Sequence, residues 1–446
     1  MAFSNPVVEA GIAGLAALFR ERAVTPSEAV EVYLSRIERL NPRLNAFLAV
    51  DAEGARAAAL ASGARWAAGR PLSPIDGVPI GIKANIASVG LPLHAGIDAY
   101  RDQVADHDAA CVARLKASGA VILGVLNMHE GALGATTDNP AFGRCQNPHW
   151  NGFTPGGSSG GSGAAAAAGL CAAALGTDTM GSVRIPSGYC GIFGLKPGRG
   201  RVSTEGVIPL SWTLDNVGPH ARSAKDCRLV FEAMAEGAAA PSAEGRPWAA
   251  LDFSGQVRVD PRVVWAFEDR LQAARDLGLT IETLRLDDYD FGAVRRLGLL
   301  ISEVEGHVVH EARLAERPEG FSKAFADGLA WGARQPAPRL AKAYRELEAT
   351  AARLRARLSG YAGLLSPTTP QFAFAFDDPV PVNQADFTAI ANVAGLPAVA
   401  FPAGLTGGMD GGLPLSVQVM AWSEADALNL AQTLARPVFT PPDFAG

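Results

Sequence analysis

The sequence predicts an α/β protein, on three observations. A short β-rich run, GVPIGIKANI at 77 to 86, alternates Val78, Ile80 and Ile82. A helix from about Asp106 to Ser118, stopped by Gly119, leads at once into the strand AVILGVL at 120 to 126. The alternation continues through an alanine-rich helix from about Ser162 to Leu175, and strands mixed with helices at this spacing belong to a layered α/β sheet.

Taken in order, the first clear helix starts at Thr25. Pro26 stands at the first helical position and Glu28 completes a capping box. Val30, Tyr33, Leu34, Ile37 and Leu40 recur at three and four, which gives one buried face, and Asn41-Pro42 is expected to stop the helix. A second helix, about Ala52 to Ala68, ends at Gly69. In the run that follows, the alternation predicts one buried face, with Lys83 on the other phase at the strand's end. Residues 236 to 247 are small, polar and proline-bearing, and read as a linker or long surface loop. Beyond them lie helical patterns at 260 to 276 and 338 to 359, then strands at 363 to 370, 398 to 405 and 413 to 421. There is no internal repeat.

Composition narrows the class. At 446 residues, one large core or two unequal parts both fit. Hydrophobic residues make up 48% and charged residues 19%, enough apolar surface for a globular chain. The net charge of −6 is spread along the sequence, which argues against a nucleic-acid surface, since that needs a clustered basic footprint. Five cysteines (Cys111, Cys145, Cys171, Cys190, Cys227) show no C-x-x-C spacing, so they read as buried thiols in a reducing compartment rather than as disulfides or zinc ligands. The N-terminal apolar stretch lacks a preceding basic residue and carries Glu9, which is wrong for a signal peptide. The alanine helix suits a protein core better than a membrane. The expectation is a soluble, cytoplasmic protein with no membrane and no nucleic-acid partner.

The chemistry concentrates between Thr154 and Ser182. TPGGSSGGSG places Ser158 and Ser159 among glycines, whose backbones approach other groups closely. The alanine helix has no bulk on any face, so it has to lie buried, and it leads to GTDTMGS with a second glycine-flanked serine. Three other readings of the loop compete. A nucleophile elbow is formally matched by Gly156 to Gly160, but Asn147-Pro148 and Pro155 lie where a strand is required, and His220, His307 and His310 lack the setting of a triad base. A phosphate cradle fails because no Gly-Lys-Ser/Thr follows. A flexible linker does not open a buried helix. His129, after a strand, is either a pocket residue or a satisfied structural histidine.

These segments resemble the amidase signature family. GVPIGIK ending at Lys83, GGSSGGS at 156 to 162 and GTDTMGSVRIP at 176 to 186 carry the likeness. NMHEGALG (127 to 134), NPHW (147 to 150), GLKPGRGRVS (194 to 203), the run from Asp215 to Pro219 and, more loosely, NVAGLPAVAFPAG (392 to 404) extend it. The resemblance implies a single domain over 1 to 446, a large mixed and mostly parallel β-sheet sandwiched between α-helices. Its signature core runs from about 70 to 230, and the C-terminal half from 248 to 446 completes sheet and pocket. It also implies an amidohydrolase without a cofactor or metal, acting on a small-molecule amide, and a homodimer is the assembly expected. Ser182 resembles the nucleophile, Ser158 the bridging serine after a cis peptide bond, and Lys83 the base. The backbone amides of Thr179, Met180, Gly181 and Ser182 look like the oxyanion hole, with Asp178, Arg184 and Ser159 supporting. The chemistry fits these roles. An unperturbed serine is a poor nucleophile, and a lysine titrating near 10.4 has to be depressed by about 3 units, about 4 kcal/mol, to act as a base near pH 7; burial supplies that.

One position departs from the pattern: the family's glycine is Met180 here. The side chain is strained if the position demands a positive φ, and otherwise is expected to narrow the acyl pocket. The alternative within the family is the amidase subunit of a tRNA-dependent amidotransferase, which hands ammonia to a partner.

Overall fold

The computed structural model describes residues 5–243, 245–408 and 412–438. Eleven strands form one sheet: β1 (Phe47–Val50), β2 (Pro79–Lys83), β3 (Val121–Leu126), β4 (Ala173–Asp178), β5 (Phe193–Lys196), β6 (Asn216–Ala221), β7 (Trp248–Asp252), β8 (Ile281–Arg285), β9 (Gly363–Pro367), β10 (Ala398–Leu405) and β11 (Pro414–Ala421). Their spatial order is β1-β3-β2-β4-β6-β5-β10-β11-β9-β7-β8. The sheet is mixed as expected, but not mostly parallel. β3-β2-β4 and β9-β7-β8 are parallel triplets, and the strands between them, with β1 at the edge, pair antiparallel. Hairpin-like returns such as β10 to β11 replace the helical crossovers that a parallel sheet requires.

The helices packed on this sheet include α1 (Pro26–Leu44), α2 (Gly160–Ala167), α3 (Arg184–Tyr189), α4 (Phe291–Glu316) and α5 (Lys323–Ala333). α1 starts as read, with the Thr25 side chain accepting from the Glu28 amide and Glu28 reaching back to the Thr25 amide. It does not stop at Asn41-Pro42. The proline costs one intrahelical bond in the last turn, Asn41 Oδ1 takes the amides of Ala46 and Phe47, and Asn45 closes the helix in the left-handed conformation. The 26-residue α4 is absent from the sequence reading, although Asp290 caps it through the Ala293 amide.

Two readings near the centre also change. β2 is buried on both faces, Lys83 included, because β3 and β4 flank it and helices cover it. The alternation there reports a strand but not its exposure, as expected for parallel strands inside a covered sheet. The alanine helix is shorter than predicted: α2 ends at Ala167, Gly169 turns the chain at φ +65°, and the apolar residues from 173 onward form β4. Small residues without periodicity fit either element, and the pairing of β4 with β2 and β6 decides. The 236 to 247 segment runs without helix or strand over its described residues; Glu244 within it and residues 1 to 4 at the start of the chain lie outside the described set.

α2 shows why this region is built of glycine and alanine. All eight of its residues are buried. A Cβ on Gly161 would fall against the Asn127 carbonyl, 2.6 Å from Asn127 N and 2.8 Å from Ala46 O, all of it backbone that cannot swing aside. Gly161→Ala is therefore expected to cost about 1–3 kcal/mol of stability by overpacking. Gly360, whose added Cβ would meet nothing within 4 Å, serves as the control. Urea denaturation of both variants checks this; equal midpoints would show that α2 has room to shift.

Candidate active site

Three segments converge where β2 and β4 end. Lys83, the last residue of β2, is fully buried and donates from Nζ to Ser158 Oγ at 2.7 Å and to Thr177 Oγ1 at 2.7 Å. Thr177 lies on β4, adjacent to β2, so the sheet itself sets the lysine beside its second acceptor. Ser158 follows a cis peptide bond from Gly157, and its carbonyl accepts from the His129 amide at 3.0 Å. Ser159 ties the loop to the strand: its hydroxyl donates to the Thr177 carbonyl at 3.1 Å and accepts from the Thr177 amide at 3.2 Å. Its amide donates to the Ser182 carbonyl at 3.3 Å, so Ser159 ties the serine loop both to β4 and to the Ser182 turn.

From Thr154 to Gly198 every residue is buried except Met180 and Ser182. Ser182 is thus the serine of this region open to an incoming group, while Ser158 and Lys83 lie in the dry interior. Removal from water drives the Lys83 ammonium down to about 7, with Asp215 and Asp178 pulling the other way. A neutral amine is then available near neutral pH. His129, by contrast, is held down to about 4 by burial, and its Nδ1 lies 3.2 Å from Thr136 Oγ1. His220 is buried with Nδ1 on Ser187 Oγ at 2.9 Å.

The turn carrying Ser182 is built on Asp178. Its carboxylate accepts from the amides of Gly181 at 2.7 Å and Val183 at 3.1 Å, from Arg184 Nε and Nη2 at 3.1 Å each, and from Asn392 Nδ2 at 2.9 Å. Burial alone would raise Asp178, but the Arg184 guanidinium and these donors hold it down at about 2. Arg184 also donates to Thr388 O, Gln418 Oε1 and Asn392 Oδ1 at 2.6–2.9 Å, which locks the turn to the C-terminal part of the chain. The expectation of four consecutive oxyanion amides is changed at one position. The Gly181 N–H points at Asp178, which leaves the amides of Thr179, Met180 and Ser182 without an acceptor among the described residues.

Met180 does not have a positive φ, so the strained alternative falls away. Its side chain lies on α4 against Gly298, where an added Cβ would meet Sδ directly and Cε at 2.6 Å. The glycine missing from the turn is in this sense found on the facing helix. Sequence reading misses Gly298, and likewise Thr177, Asp215, Thr388 and Asn392. Thr177 stands inside one of the signature motifs, and Asp215 and Asn392 each open a segment of the likeness, so these three are legible there; Gly298 and Thr388 are joined to the site only by tertiary packing.

A buried lysine bonded to a buried serine thus lies near one open serine in a turn of free amides, and likeness to known proteins gives the class: a hydrolase of carbon–nitrogen bonds other than peptide bonds. The profile of the Amidase family matches residues 28–430, and the chain belongs to that family, the amidase signature enzymes. It is 35% identical to a glutamyl-tRNA(Gln) amidotransferase subunit from Anaeromyxobacter dehalogenans (strain 2CP-C), over 98% of this chain and 97% of that one. Among solved structures it superposes on the peptide amidase of Stenotrophomonas maltophilia with a TM-score of 0.85 and 26% identity, covering 99% of this chain and 100% of the other. The corresponding glutamyl-tRNA(Gln) amidotransferase subunit from Thermotoga maritima gives 0.74 and 26%, with 93% and 94% covered.

These relatives correct the partner expectation. A small-molecule amide with no nucleic acid and a homodimer does not describe them: they are named as one subunit of an enzyme that acts on a charged tRNA. Diffuse net charge is no ground for excluding such a partner, since it reports only the lack of a clustered basic footprint on this chain. No helix among the described residues is long and apolar enough to cross a membrane.

The Met180 packing generates a double-mutant test. Gly298→Ala is expected to destabilise the fold by no more than about 1 kcal/mol, because the atoms it displaces are the flexible end of Met180, and the Met180→Gly/Gly298→Ala double variant by less than the sum of the singles. Denaturant midpoints of the four proteins decide; additive effects would mean that the two residues do not oppose one another.

Proposed function

We propose that this chain is the ammonia-releasing amidase subunit of a tRNA-dependent amidotransferase, acting through an acyl-enzyme on Ser182. The observation that carries the catalytic part is the 2.7 Å hydrogen bond from Lys83 to Ser158 in a solvent-free interior, one residue from the Ser159 amide that bonds the open serine's carbonyl. The subunit part is supported by relatives of that name at 35% identity over nearly the whole chain. The chain works as one domain, and its five buried, unpaired thiols fit the cytoplasm.

The proposed steps use these groups in turn. Ser182 Oγ attacks the amide carbon as its proton passes to Ser158 Oγ, whose own proton passes to neutral Lys83. The carbonyl oxygen becomes an oxyanion held by the free amides of Thr179, Met180 and Ser182; one such donor is typically worth about 10²–10³ in rate. Collapse breaks the C–N bond. Lys83 returns the proton through Ser158 to the leaving nitrogen, and ammonia departs. Water then attacks the acyl-Ser182 ester by the same relay and frees the acid. Asp178 and Arg184 hold the turn in place and do not exchange protons: one is a firm acid kept charged, the other permanently charged.

Ser182→Ala is expected to abolish both ammonia release and labelling by a fluorophosphonate, with the fold unchanged by circular dichroism. Label found on Ser158 or Ser159 would overturn the assignment. Wild-type activity is expected to rise through about pH 7 as Lys83 loses its proton, and Lys83→Ala to remove that limb along with most of the rate. The subunit reading is tested by co-purification with the remaining amidotransferase subunits and by conversion of glutamyl-tRNA(Gln) in their presence. Full amide hydrolysis by the isolated chain, with neither association nor conversion, would replace it by a free-standing amidase, the arrangement suggested by the higher TM-score to the peptide amidase.

A further inference from the structure

Asp215 has no part in the steps above, yet it meets the site from the neighbouring strand. β4 and β6 pair antiparallel with Asp178 opposite Asn216, so Thr179 and Asp215 face each other as the next pair beyond the ladder. Thr179 Oγ1 donates to Asp215 Oδ1 at 2.5 Å, and the amides of Leu210 and Ser211 donate to Oδ2 at 2.9 and 3.1 Å. One carboxylate therefore ties the end of β4 to the 210–215 turn. That turn is itself anchored: Ser211 and Thr213 donate their hydroxyls to the buried Glu305 of α4, which also accepts from Tyr344. Two residues before Thr179, Thr177 receives Lys83 Nζ, so the lysine and Asp215 are held by neighbouring threonines of one segment.

We propose that Asp215 is a positioning residue for acyl transfer: it fixes Thr179, and with it the first free amide of the Ser182 turn, and it sets a negative charge on the Lys83 side of the site. The proposal rests on the roles of Ser182 and Lys83 given above.

The groups that act electrostatically on Lys83 are few. His129 and His220 are held in their neutral forms at about 4 and about 3, while Asp178, paired with Arg184, and Asp215 both favour the ammonium. Asp215, pushed up to about 6 by burial and ionised above that, opposes the burial of Lys83 more strongly than Asp178 does. Its sign follows. A carboxylate stabilises the ammonium, so removing the negative charge makes Lys83 easier to deprotonate and moves the acid limb of reactivity to lower pH. A residue that only braced the turn would leave that limb where it is.

The experiment is the pH dependence of fluorophosphonate labelling of the full-length protein, followed by intact mass. For Asp215→Asn, which keeps an acceptor for Thr179, the limb is expected to move down by about one pH unit with the plateau rate within about tenfold of wild type. For Thr179→Val, which cuts the tie and removes the donor that best holds Asp215 in its ionised form, the plateau is expected to fall about 10- to 100-fold, with the limb moving down no further than in Asp215→Asn. A limb in Asp215→Asn that coincides with wild type, or a Thr179→Val plateau equal to wild type, overturns the proposal. Labelling that survives Ser182→Ala would instead overturn the catalytic reading, so the two failures are told apart.

Discussion

The structure depends on keeping one lysine out of water. Lys83 has two hydroxyl partners and no carboxylate within hydrogen-bond reach, an arrangement a folded protein tolerates only because the charged form is given up near neutral pH. Everything around it serves that exclusion. β2 lies between two strands and under helices, α2 is reduced to glycine and alanine so that backbone packs on backbone, and the loop bearing Ser158 closes the remaining side. A side chain of ordinary bulk at Gly161 would part the layers and admit water. The same residue choice that looks like low complexity in the sequence is therefore an electrostatic requirement.

The second constraint is the buried ion pair of Asp178 and Arg184. Such a pair gains little net stability against an apolar replacement, because both charges have to be desolvated. Its use here is geometric. Asp178 holds the two amides that bracket Ser182, and Arg184 carries the same rigidity to Thr388, Asn392 and Gln418, more than two hundred positions along the chain. Ser182, the proposed nucleophile, is thereby placed by both halves of the protein at once, which explains why the looser likeness at 392 to 404 belongs with the signature motifs. Asp178 engages the Gly181 amide for the same purpose, and that removes it from the oxyanion's donors.

The relatives named for a tRNA-dependent amidotransferase and the solved amidases share this arrangement of layers, so the fold does not choose between them. Beside the open serine, Met180 is laid on Gly298 of α4, and α4 is joined to the segment beyond β9 by the Arg295–Asp386 ion pair.

The sequence alone determined the α/β class and the family, and singled out Lys83, Ser158 and Ser182 as candidates, because glycine- and serine-rich loops, strand alternation and a capped helix are local patterns read within about ten residues. It also located the odd methionine. Tertiary structure decided the rest. Whether apolar small residues at 173 to 175 continue a helix or begin β4 depends on strands supplied from elsewhere, and whether β2 shows one face or none depends on what covers it. The run of antiparallel strands at the centre of the sheet, the engagement of Gly181, the glycine at 298 that makes room for Met180, and Asp215 opposite Thr179 are all contacts between distant segments. No local pattern encodes them, since each is fixed by the packing of residues that the chain brings together only when the sheet closes around Lys83.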